Sequence, residues 1–164
     1  MVTVVLAVFI AACSSRVPSD WQTYQSSPMS LTVQHPSQWE LKESTVTFAF
    51  VFKDPATQHT GMIGFGHLQD PFIKDLLCSE KVFPKQSVHG TVQEIVQLNG
   101  VKAVRSEGPM REATDAWTRG YTFMQGDQVL NIFLLAHSAD FYKRMLPDFE
   151  LMLKTLRVDE HKSQ

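Results

Sequence analysis

Residues 116–156 read AWTRGYTFMQGDQVLNIFLLAHSADFYKRMLPDFELMLKTL, and this stretch carries the architecture. Ala116 to Met124 and Gln128 to His137 are two strand-like runs joined at Gly126-Asp127, so they predict a β-hairpin. The second arm, VLNIFLLA, is almost continuously apolar, as expected of a central strand covered on both faces. The period then changes. Phe141, Met145, Phe149, Met152 and Leu156, broadened by Tyr142, Leu146 and Leu153, form one stripe of a helix over 139–156. Pro147 removes a backbone donor inside that helix, so a kink or break near Leu146 is expected.

Working outward, Val88 to Ser106 is a second hairpin around Asn99-Gly100, a pair that tolerates positive φ at both turn positions. Asp70-Pro71 is a helix start, followed by Phe72, Ile73, Leu76, Leu77 and Phe83 at helical spacing. Met29 to His35, Thr45 to Phe52 and Thr60 to His67 are strands, with Trp39 to Leu41 a brief further one. The sum is an antiparallel β-sheet flanked by two amphipathic helices, an α+β fold of the αβα sandwich type.

The chain has 164 residues, 43% hydrophobic and 20% charged, with 15 basic and 17 acidic side chains. That is the size of one domain with short tails. A net charge of −2 gives no basic excess to offset a phosphate backbone, so nucleic acid is not an expected partner. Two cysteines are too few for a disulfide framework.

Residues 1–13, MVTVVLAVFIAAC, are apolar apart from Thr3 and too short to span a bilayer, but suit the core of a secretion signal. Ile10-Ala11-Ala12-Cys13 resembles the lipobox of bacterial lipoproteins. That resemblance implies a signal peptide over 1–12 and a diacylglycerol-modified Cys13 heading the mature chain. It also implies a membrane-anchored domain at the periplasmic or outer surface. Ser14, in place of a retaining Asp, favours the outer membrane where there are two. The basic residues expected before the apolar run are missing, the first charge being Arg16, which points to a start upstream of Met1. Residues 13–28 have the Ser, Gln and Pro content of a tether, with Trp21 and Tyr24 either docked on the domain or at the lipid interface. The folded domain is then expected over 29–158, with a polar tail over 159–164.

The order of elements, the segment Leu31 to Trp39 containing His35-Pro36, and Asp140, Glu150, Thr155 and Leu156 in the closing helix resemble the PsbP-like/DcrB-like family. The resemblance implies this fold and a role in binding proteins more often than in catalysis.

Candidate chemistry is sparse. GMIGFG places Gly61, Gly64 and Gly66 at the wrong spacing for a dinucleotide loop, and glycines within a strand indicate a bulge or close backbone approach instead. His59 and His67 share a strand parity but lie about 25 Å apart along an extended chain. With no His-x-His or CxxC spacing, no metal site is expected, and His137 and His161 read as surface or hydrogen-bonded side chains. Cys78 sits beside an apolar stripe and reads as a buried thiol. Glu107, Glu112 and Asp115 with Arg105, Arg111 and Arg119 read as a solvated mixed-charge face. No catalytic residue and no cofactor emerge. The expectation is a non-enzymatic, lipid-anchored envelope protein that binds a partner protein or supports assembly at the membrane. The competing expectation is a pocket or groove for a small or apolar ligand, or a chaperone-like groove, between the sheet and the terminal helix with its Met145 and Met152.

Overall fold

The computed structural model describes residues 17–79, 85–88, 90–110 and 115–158. Cys13, the expected signal and tail, Phe83, Arg111, Glu112 and His161 lie outside them.

Eight strands form one antiparallel sheet in the order β3 (Glu40–Glu43), β4 (Thr47–Lys53), β5 (Thr60–Leu68), β10 (Gln128–Ala136), β9 (Trp117–Gln125), β8 (Val101–Pro109), β7 (Thr91–Leu98) and β6 (Gln86–Val88). A second sheet joins β1 (Trp21–Ser26), β2 (Leu31–Pro36) and the short β11 (Arg157–Val158). The helices are α1 (Pro71–Cys78) and α2 (Ala139–Thr155). The expected α+β architecture is the observed one.

Both hairpins follow their turn chemistry. Asn99 and Gly100 take φ of 50° and 83°, and Leu98 pairs with Val101 across the two-residue loop. Asn99 Nδ2 also donates to the Leu153 carbonyl (2.7 Å), pinning the hairpin tip to the end of α2. Gly126 takes φ of 61°, and Gln125 pairs with Gln128.

The core lies on one face of the large sheet, here the inner face. Phe48, Phe50, Phe65, Leu130, Ile132 and Leu134 point inward against Leu31 and Val33 of the small sheet and Phe141, Phe149, Met152 and Leu153 of α2. Ser138 caps α2 by accepting from the Phe141 N–H (3.2 Å).

Of the kink or break expected near Leu146, the break does not occur: α2 runs as one helix through Pro147. Pro147 and Lys143, whose carbonyl loses its i+4 donor, are both exposed, so water can satisfy the orphan acceptor. The expected tether is also too long, because Trp21–Ser26 is a strand in continuous register with Leu31–Pro36. Trp21 lies 6.5 Å from Trp39, and Tyr24 lies 4.7 Å from Phe48, so both aromatics dock on the domain. Burial of those rings overrides the polar composition of the residues between them.

The outer face is covered unevenly. Asp70 accepts from the Phe72 and Ile73 N–H groups and starts α1 as expected. Leu77, with Ile73 and Leu76, packs on Val104, Met124 and Val129. A helix of eight residues is only ~12 Å long, whereas eight strands span about 34 Å. The expectation that β10 is covered on both faces therefore holds only at its Val129 end. Phe133 and Leu135 remain half-exposed. Phe72, assigned to the buried stripe from sequence, is 67% exposed, and Cys78 is exposed rather than buried.

Candidate functional site

The outer face beyond α1 is built from cross-strand rows. Lys42, Ala49, Gly64 and Phe133 lie side by side across β3, β4, β5 and β10, and the next row is Thr47, Gly66 and Asn131. Gly64 permits the ring of Phe133 to lie flat on the sheet, since a Cβ there would sit 2.5 Å from Phe133 Cζ. Of the bulge or close approach expected of the GMIGFG glycines, Gly64 shows the close approach, and β4 and β5 stay in continuous register past it. These rows floor an open groove of about 430 Å³ with mainly apolar walls, rimmed by Lys42, Glu43 and Ser44. Leu68 in its lining and Val46 (63% exposed) between the rim residues Ser44 and Thr47 add apolar surface to it.

His67, at the end of β5, lines this groove and two further ones. One, of about 600 Å³, runs past Met29, Val101, Phe123 and Met124; the other, of about 420 Å³, runs past Asp70 and Lys74. Gln125 Nε2 donates to the Met29 carbonyl (2.5 Å), so its Oε1 faces His67 Nε2 (3.3 Å) as the acceptor. That assignment puts the proton of neutral His67 on Nε2 and leaves Nδ1 as a lone-pair acceptor.

Two polar clusters hold the scaffold. Asp54 is buried and accepts from the Ala56 N–H (3.0 Å), the Thr57 hydroxyl (3.0 Å) and Arg144 (2.7 Å). Burial would raise its pKa, but these donors and the Arg144 charge outweigh it and hold the carboxyl below its ordinary value. His137 Nε2 lies 3.9 Å from Asp54, and the rings of His59 and His137 meet with centroids 4.2 Å apart. Among the described residues no group of three His, Cys, Asp or Glu side chains is placed to hold a metal ion.

The second cluster corrects the expected solvated charge face. Arg119, its side chain only 13% exposed, pairs with Glu107 (2.7 Å) and Glu150 beneath α2. Tyr142 donates to Glu107 (2.6 Å) and Tyr121 to Glu150 (3.2 Å). Burial raises the Glu107 pKa and these bonds lower it; the net direction is down. Tyr142 is pushed up, first by burial and then by donating to Glu107. These bonds tie β8 and β9 to the helix. Arg105 pairs with Glu94 in the same layer.

Under α2 the sheet is filled by Phe141, Phe149, Met152 and Leu153, each 2% exposed or less. The grooves described above lie away from that interface, so the expected pocket beneath the terminal helix is occupied by core.

No family profile matches the sequence, and no curated protein matches it. Solved structures do match. Cyanobacterial PsbP (CyanoP) from Synechocystis sp. PCC 6803 superposes with a TM-score of 0.54 at 10% identity, over 92% of this chain and 99% of that one. The fold is PsbP-like. A Bacteroides thetaiotaomicron protein matches with a TM-score of 0.58 at 12% identity, over 88% of this chain. This chain spans about half of that protein, 51% of its length. On the PsbP-like scaffold the open groove is formed by the half of the sheet that includes β3, β4 and β5, away from α1.

Sequence reasoning missed the groove, the meeting of His59 with His137, and the Arg119 cluster. Each depends on register, which brings the start of β5 beside the end of β10 and stacks Glu107 beside Arg119. Strand parity was the available signal for the groove: Phe133 and Leu135 share a face opposite to Leu134.

Proposed function

We propose that this chain is a non-enzymatic, lipid-anchored envelope protein that binds a partner protein at the membrane surface through the open outer face of its sheet. The carrying observation is that face: Phe133, Leu135 and Met62 half-exposed on the same side as the exposed Leu68, with Val46 exposed in the adjoining β3–β4 turn. Contiguous apolar surface rimmed by polar groups is the pattern of an interaction site. Lipidation of Cys13 supplies the anchor, since two or more acyl chains hold stably where one does not. Among the described residues no helix is long and apolar enough to cross a membrane.

The apolar groove of about 430 Å³ also favours a second reading, an apolar ligand lying beside Phe133 rather than under α2. One experiment separates the readings. A photo-crosslinking residue is placed at Leu68 or Val46, with Lys143 on the far side as control, and cells are labelled with a palmitate analogue. Partner binding gives a discrete protein adduct at the first two positions alone. Label on the native chain and not on Cys13→Ser supports the anchor. Equal labelling removes the anchor, and no position-specific adduct removes the partner.

A further inference from the structure

Among the described residues, the small sheet ends in a strand that lacks the usual protection of an edge. Exposed edges are normally blunted by charge, proline, bulges or shortness. In the large sheet, β3 (ELKE) carries three charges in four residues and β6 is three residues long. At the other side of the small sheet, β11 has two residues. In contrast β1, WQTYQS, runs six residues without charge, proline or bulge.

Its backbone can be oriented from two bonds. Ser37 N–H donates to the Asp20 carbonyl (3.2 Å), while Gln34 N–H turns away from β1 to Thr155 Oγ1 (2.9 Å). In an antiparallel pair, bonded and non-bonded residue pairs alternate. Asp20, Gln22, Tyr24 and Ser26 therefore bond to β2, and Trp21, Thr23 and Gln25 turn their backbone groups to the open edge. Trp21 N–H is taken by the Pro18 carbonyl (3.2 Å). The Trp21 carbonyl and both groups of Thr23 and Gln25 have no backbone partner among the described residues.

We propose that β1 pairs antiparallel with β1 of a second copy of this chain, joining two small sheets into one. The two-fold register that uses the free groups sets Thr23 opposite Thr23 and Trp21 opposite Gln25. Thr23 then exchanges both bonds across the dyad, and each Gln25 N–H reaches the Trp21 carbonyl of the other copy. A symmetric contact sets every side chain at the dyad against itself, so a charged strand would oppose like charges there. An uncharged strand with Thr at its centre meets that condition, and facing threonines are a favourable cross-strand pair. The interface is small, so pairing is weak in dilute solution and strengthened wherever copies share a surface. It involves the edge of the small sheet and is independent of the outer-face groove.

The test uses the full chain carrying Cys13→Ser and Cys78→Ser, so its outcome does not depend on acylation. A hydrogen-bonded antiparallel pair has Cα atoms ~5.5 Å apart, within disulfide reach, so Thr23→Cys should oxidise to a linked dimer about tenfold faster than Lys143→Cys. Sedimentation should show concentration-dependent dimers that Thr23→Lys abolishes with an unchanged circular dichroism spectrum. Equal oxidation at the two positions overturns the proposal. So does a monomer at every concentration, or a cross-link from Thr23→Cys to a different protein in membranes.

Discussion

His35 shows how one residue ties this domain to pH. Its ring is 3% exposed and stacked on Phe50 with centroids 4.0 Å apart, and Nδ1 bonds to the Pro36 carbonyl (2.9 Å). Burial lowers its pKa, and the Pro36 bond opposes this only in part. With the folded value below the unfolded value of about 6.5, the unfolded chain binds more protons between the two. Stability should therefore fall as pH drops below about 6.5, down to the folded value, with no further loss from this group below it. Urea unfolding between pH 7.5 and 5 should show this slope in the native chain and a flatter one in His35→Phe. Identical slopes would remove His35 as the cause. The sequence placed His35-Pro36 in a family-like segment at the end of a strand, but gave no sign of the stack, because Phe50 reaches it from another sheet.

Among the elements, α2 and β1 mark the limits of reading by composition and period. The stripe of α2 was legible because Phe141, Phe149, Met152 and Leu153 recur at helical spacing and become core. Its continuity was not, because the cost of Pro147 depends on which side of the helix meets water. Since Pro147 is exposed, Pro147→Ala restores a backbone donor toward Lys143 without crowding the core. It should stabilise by about 1–2 kcal/mol, a part of the helix-interior penalty. The denaturant midpoint should rise at constant m; an unchanged or lower midpoint refutes the reasoning. In β1 the error ran the other way. Gln22 and Thr23 between Trp21 and Tyr24, with Gln25 and Ser26 after them, read as linker, yet the two aromatics dock and bring the strand with them. The same strand supplies the open edge through which we propose self-pairing.

The whole molecule is lopsided: one face of the large sheet carries the core, and the other carries an eight-residue helix and an open groove. Neighbouring substitutions should expose this. Leu134 is fully buried on the inner face, so Leu134→Ala should cost about 2–5 kcal/mol. Leu135, half-exposed on the outer face, should cost about 1 kcal/mol or less on the same change. Equal losses in chemical denaturation would mean that both faces are packed alike. The sheet order could not be read from sequence, because β5 pairs with β10 across some sixty intervening residues. That pairing has a consequence for biosynthesis. A ribosome delivers Leu68 well before its neighbour Val129, an interval of about 3–12 s at ~5–20 residues per second. Throughout it Phe48, Phe50 and Phe65 have neither β10 beside them nor α2 above them. The nascent amino-terminal half thus holds an aromatic surface that β1 and β2 touch but that only the last quarter of translation can finish covering, so shielding by a holdase during that interval should set the yield of folded protein.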